Sequence, residues 1–149
     1  MRSLTKGLLA GAAGTVALNV VSYGDMLLRG RGSSNMPATV AGKLAGGVGV
    51  RLGEGEDKAH REEALGALLG YVTGLGVGAA YGLVRRDGHL PVWAAGPLLG
   101  AAAMAGSDVP ASAMKVTDPT TWSLTSWVSD VIPHMAYGFT AASVYRVLR

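Results

Sequence analysis

The run A-L-G-A-L-L-G-Y-V-T-G-L-G-V-G-A-A-Y-G-L-V, Ala64 to Val84, is 21 residues without a charge, and Gly66, Gly70, Gly74, Gly78 and Gly82 fall four apart within it. A helix crossing the hydrocarbon core of a bilayer needs about 20 apolar residues. Positions four apart share one helix face, so the five glycines predict a groove without side chains about 24 Å long. Such small-residue faces let helix backbones approach closely in lipid, where packing replaces the hydrophobic effect. The stretch therefore reads as a glycine-zippered membrane helix.

Working outward, three other stretches share its poverty in charge: Gly7–Leu28, Leu90–Gly106 and Trp127–Leu148. The chain as a whole has 149 residues, 49% of them apolar and only 15% charged, with 23 glycines. That composition is wrong for a soluble domain of this length. The pattern predicts an all-α polytopic membrane protein, one domain over 1–149. It would be a four-transmembrane-helix bundle with spans at 7–28, 64–84, 90–106 and 127–148 and a loop at 29–63. Gly7, Gly11 and Gly14 in the first span, and Gly96 and Gly100 with Ala101–Ala103 in the third, offer matching small faces for the groove. The groove would take a helix of the same chain or of a second copy.

The start, M-R-S-L-T-K-G-L-L-A-G-A-A-G, has the basic and apolar regions of a secretory signal. The apolar run continues to Leu28, however, and Val20-Val21-Ser22 matches an A-x-A cleavage site poorly, so the segment is expected to be retained as a span. Four spans put both termini on one side. Arg2, Lys6, Arg85, Arg86, Arg146 and Arg149 then oppose Arg29, Arg31, Lys43, Arg51, Lys58, Arg61 and Lys115. The counts balance, but the first group lies close to span ends, where the orienting effect is strongest, so both termini are expected in the cytoplasm. Scattered at helix ends, these cations do not form the basic face of a nucleic-acid binder.

Within the 29–63 loop, Val40, Leu44, Val48 and Leu52 recur every fourth residue beside Lys43 and Arg51. This suits a short amphipathic helix in the membrane interface, although the glycines at 42, 46, 47 and 49 weaken it. G-E-G-E-D-K-A-H-R-E-E, Gly53–Glu63, reads as a solvated mixed-charge run with His60 exposed.

The chemistry-bearing residues gather at the end where spans one and three finish and spans two and four begin. Asp25 sits just inside the first span with Arg29 at i+4, the favourable order for an ion pair. Asp108, between Gly106 and Pro110, suits the turn ending the third span. In W-V-S-D-V-I-P-H-M-A-Y-G, Trp127–Gly138, Asp130 is either the N-cap of the last span, with Pro133 in its first turn, or an intramembrane carboxylate in a helix running on from Pro119. His134 lies one turn further in. It would be a satisfied neutral histidine, a proton carrier coupled to Asp130, Asp108 or Asp25, or a metal ligand short of partners. Trp122 and Trp127 suit the aromatic belt.

Cysteine is absent, which removes disulfides and thiolate sites. No H-E-x-x-H, G-x-S-x-G or phosphate-cradling loop occurs. No cofactor or metal is implied, and the expected partners are membrane lipid, other membrane subunits or a second copy.

G-L-L-A-G-A-A-G-T-V-A-L-N-V-V-S-Y-G-D-M-L-L-R-G-R, L-G-Y-V-T-G-L-G-V-G and T-D-P-T-T-W-S-L-T-S-W-V-S-D-V-I-P-H-M-A-Y-G together resemble a group of small multi-pass membrane proteins common in actinobacteria. The resemblance covers most of the chain outside Glu54–Glu63. It implies a bacterial plasma-membrane address and carries no catalytic role with it. The expected function is a non-catalytic structural or accessory membrane component; the alternative is a proton- or ion-linked component using Asp25, Arg29, Asp108, Asp130 and His134.

Overall fold

The computed structural model describes residues 2–85 and 90–148. Arg86, Asp87, His89 and Arg149 lie outside the described residues. Five α-helices and one 3-10 turn make up the fold, with no strand among the described residues. They are α1 (Ser3–Arg29), α2 (Met36–Gly47), α3 (Gly55–Val84), α4 (Val92–Ala113) and α5 (Leu124–Val147), with the 3-10 turn at Pro119–Thr121 between α4 and α5.

The local chemistry explains where the helices stop and start. Gly30, at φ 62°, takes the left-handed conformation that ends α1, and its N–H reaches back to the Met26 carbonyl. Helix α3 begins nine residues before the apolar run. Glu56 and Asp57 in its first turn complement the helix dipole, and Lys58–Glu62 (2.9 Å) and Arg61–Asp57 (3.8 Å) pair one turn apart. The expected solvated loop at 53–63 is therefore mostly helix. The expected interfacial helix also shifts: α2 ends at Gly47, leaving Val48 and Leu52 beyond it, and it buries Val40, Ala41 and Ala45. Its Pro37 and Ala38 backbone lies against Gly66 of α3.

The long helices run alternately up and down. α1 lies between α3 and α5, α5 also packs on α4, and α4 closes the ring on α3. The α1–α3 seam is backbone on backbone. A Cβ built on Gly78 would come within 2.7 Å of Gly11 Cα, and Gly7 faces Gly78 and Gly82. Gly14 instead meets the ring of Tyr137. Gly96 and Gly100 do not serve α3 as expected; they take Gly138 of α5, whose added Cβ would lie 2.5 Å from the Gly100 nitrogen. Gly70 meets nothing within 4 Å.

The burial pattern is inverted relative to a water-soluble bundle. The centre is built of small residues and two tyrosines: Ala10, Ala95, Ala103, Ala141 and Ala142 around Leu99, Tyr137 and Tyr145. Leu8, Val16 and Val20 on α1, Leu68 and Val72 on α3, Leu98 on α4, and Ile132 and Phe139 on α5 point outward. By length and composition two helices, α1 and α3, can cross a membrane. The expectation of four spans thus finds that support for two. Helix α4 is diluted by glycine, Pro97, Ser107, Asp108 and Pro110, and α5 by serine, threonine, Asp130 and His134.

Candidate functional site

The C-terminal ends of α1 and α4 and the N-terminal end of α5 meet at one end of the bundle, and their polar residues form two groups on either side of α5. On the α1 side, Asp25 accepts from Arg29 (2.5 Å) and Arg31 (2.7 Å), and Arg29 also donates to Ser129 Oγ on α5. Ser129 Oγ in turn donates to the Thr125 carbonyl at 2.7 Å. This group ties α1 to α5 and leaves Asp25 with both cations.

On the α4 side, Asp108 and Asp130 bring their carboxyl groups into contact, with His134 beside them. Asp108 is 8% exposed. It does not lie in a turn, as its neighbours Gly106 and Pro110 suggest, because α4 continues through Pro110 to Ala113. Ser107 Oγ lies 2.9 Å from the Met104 carbonyl and 3.2 Å from Asp108 Oδ1.

Asp130 is not the N-cap of the last helix. Ser123 takes that role, its Oγ accepting from Ser126 N–H at 3.1 Å, so α5 starts six residues before Asp130 and Pro133 falls in its interior. Pro119 does not start that helix either. It opens the short 3-10 turn, where Asp118 Oδ1 accepts from the Thr120 N–H and hydroxyl. Those two bonds hold the Asp118 carboxyl below its ordinary value.

His134 Nδ1 lies 2.8 Å from the Asp130 carbonyl and 3.4 Å from Asp130 Oδ1. A carbonyl only accepts, so Nδ1 carries the hydrogen and donates it. The other oxygen, Asp130 Oδ2, is buried and has no donor. Of the five polar residues singled out in the sequence, Asp108, Asp130 and His134 thus come together; Asp25 and Arg29 form their own pair one residue away along α5. Among the described residues no group of three or more His, Asp or Glu side chains is arranged to hold a metal ion.

Two residues with structural weight were not singled out. Tyr137, fully buried, donates its hydroxyl to the Gly74 carbonyl at 2.5 Å, and Tyr145 stacks edge-on with Tyr81 at 5.0 Å. Together they carry α5 across to α3. The signal available was the spacing Tyr137, Ala141, Tyr145, one face of a helix over two turns.

No family model, curated protein or solved structure matches this chain. What the site can do follows from its geometry: it offers a pair of carboxyls and an imidazole, with the Ser107 hydroxyl beside Asp108.

Proposed function

We propose that the chain is a small multi-pass protein of the bacterial plasma membrane, in which α1, α3, α4 and α5 all cross the bilayer. It acts as a non-catalytic structural or accessory component through glycine-zippered helix packing. The observation that carries this reading is the inverted burial: glycine and alanine inside, leucine, valine, isoleucine and phenylalanine outside, on all four long helices. Monomeric soluble proteins rarely leave contiguous apolar surface of that extent in water. Lipid-facing helices need it, and their contacts use small residues. The bacterial address rests on the resemblance to the actinobacterial group, and the cytoplasmic placement of both termini on the cations close to the span ends.

The native chain has no cysteine, so single introduced cysteines report topology without background. In intact cells Ser34→Cys and Thr117→Cys should react with a membrane-impermeant maleimide, whereas Ser3→Cys and Arg85→Cys should react only after lysis. Recovery in the soluble fraction, or labelling of Ser3→Cys and Ser34→Cys from the same side, would sink the four-span reading.

A second reading, a proton- or ion-linked component, is favoured by the Asp108, Asp130 and His134 contact. Asp130→Asn with His134→Gln separates the two: assembly and function survive in a packing protein, and a proton-linked activity is lost.

A further inference from the structure

We propose that Asp108 and Asp130 form a proton-binding site across the α4–α5 seam, holding one proton between their two carboxyl groups. This rests on the contact between the two helices and not on how many helices cross a membrane.

Three features lead to it. Asp108 is almost wholly buried and its carboxyl touches that of Asp130. Two carboxylates in contact repel each other, and away from water the repulsion is weakly screened. Secondly, Asp130 Oδ2 is buried and receives no hydrogen bond, although Oδ1 and the backbone carbonyl of the same residue face His134 Nδ1. A buried carboxylate oxygen without a donor is costly, and a carboxylic O–H from Asp108 supplies the missing donor. Thirdly, the helices cannot part to relieve the repulsion. The same seam is closed about two to three turns further along by Gly138 against Gly100 and Gly96, with no side chain between the backbones.

The Arg and Lys side chains nearest the pair are engaged elsewhere. From α1, Arg29 and Arg31 are both held by Asp25, and Arg29 reaches α5 only at Ser129. From α3, the stretch 64–84 carries no charge at all, and Thr73 is what faces Gly106, two residues before Asp108. Lys43 of α2 is turned to the Met114 carbonyl at 2.7 Å. On α4 and α5 themselves the remaining groups are Ser107 and His134. His134 donates from Nδ1 on the Oδ1 and carbonyl side of Asp130 whether or not its second nitrogen is protonated; an imidazolium there offsets one of the two carboxylate charges and still leaves Oδ2 without a donor.

Infrared spectroscopy of the purified full chain in lipid vesicles at neutral pH tests this. The wild type should show one carbonyl stretch of a protonated carboxylic acid that shifts in D2O. Asp108→Asn and Asp130→Asn should each lose that band, because the new amide N–H replaces the shared proton and leaves the partner ionised. His134→Gln should retain it. A wild-type spectrum without the band overturns the proposal, including the case in which a cation bridges the pair, and needs no variant to fold. A band that persists in both Asn variants also overturns it. Because the band is read on the isolated protein, a failed four-span topology leaves the outcome unchanged.

Discussion

Glycines in this chain differ by what lies opposite them, and single substitutions should sort them. Adding a methyl at Gly78 drives it onto the Gly11 backbone, which has no flexible end to move aside. Gly78→Ala should therefore lower stability by about 2 kcal/mol even after the gain in helix propensity, read as a lower melting temperature in detergent or nanodiscs. Gly70→Ala faces open space and should be neutral or raise stability by up to about 1 kcal/mol. Equal effects at the two positions would contradict the α1–α3 seam. Tyr137→Phe keeps the ring against Gly14 and removes only the bond to Gly74, a loss of about 1 kcal/mol by the same measurement. The 3-10 turn has its own pH dependence. The folded value of Asp118 is depressed by Thr120, so its contribution is present above the ordinary carboxylate range and is lost as pH falls through the folded value. The Thr120 amide resonance should move across that acid transition and become insensitive to it in Asp118→Asn; an unchanged transition in the variant would rule this cause out.

Helix α3 shows how far an element can be read from its sequence. The four-residue glycine spacing and the absence of charge make a close-packed helix legible at once. Its partners are not legible, because at 3.6 residues per turn each four-residue step advances about 40° around the axis. From Gly66 to Gly82 the glycine row therefore swings by about 160° and cannot face a single neighbour. Gly66 meets α2, Gly74, Gly78 and Gly82 meet α1 and its Thr15, and Gly70 falls in the gap between the two. The start of α3 was obscured for a different reason. A mixed-charge run looks solvated as a loop or as a helix, and the i,i+4 pairs that decide for helix cover only two turns. Asp130 was ambiguous because aspartate before a proline suits a cap, yet Ser123 caps earlier and the helix accepts Pro133 inside it. The convergence of Asp108, Asp130 and His134 could be anticipated from an up-and-down order, whereas the separation of Asp25 to the far side of α5 depends on packing angles. Helix α2 depends on Gly66 for its contact with α3, since Pro37 and Ala38 occupy the place a side chain would take. Gly66→Leu should release α2 and leave the four long helices in place, seen as faster hydrogen exchange confined to amides 39–47. Unchanged exchange there would mean that Val40, Ala41 and Ala45 hold the helix by another surface.

The bundle as a whole carries a measure of its own thickness. Asp108 of α4 and Asp130 of α5 stand at one level because their carboxyls touch, and Trp127 lies three residues further out on α5, level with about position 111 of α4. Trp93 is at the opposite end of α4, so the two indoles are separated along the bundle by about 18 residues of rise, or about 27 Å. That is close to the hydrocarbon thickness of about 30 Å, and tryptophans gather at both of its boundaries. Both indoles are exposed, Trp93 by 75%, and Trp122 packs on Trp127 with ring centres 5.0 Å apart. On the proposed four-span reading, the same geometry puts the Asp108–Asp130 pair about one turn inside one boundary, deep enough for weak screening and near enough to water for a proton to arrive. Proteins retaining only Trp93 or only Trp127, the other tryptophans replaced by phenylalanine, should be quenched more by lipids brominated near the headgroup than by lipids brominated at the chain end. Strong quenching by aqueous iodide with none by either lipid would place that end of the bundle in water and break the match between the Trp93–Trp127 separation and the bilayer.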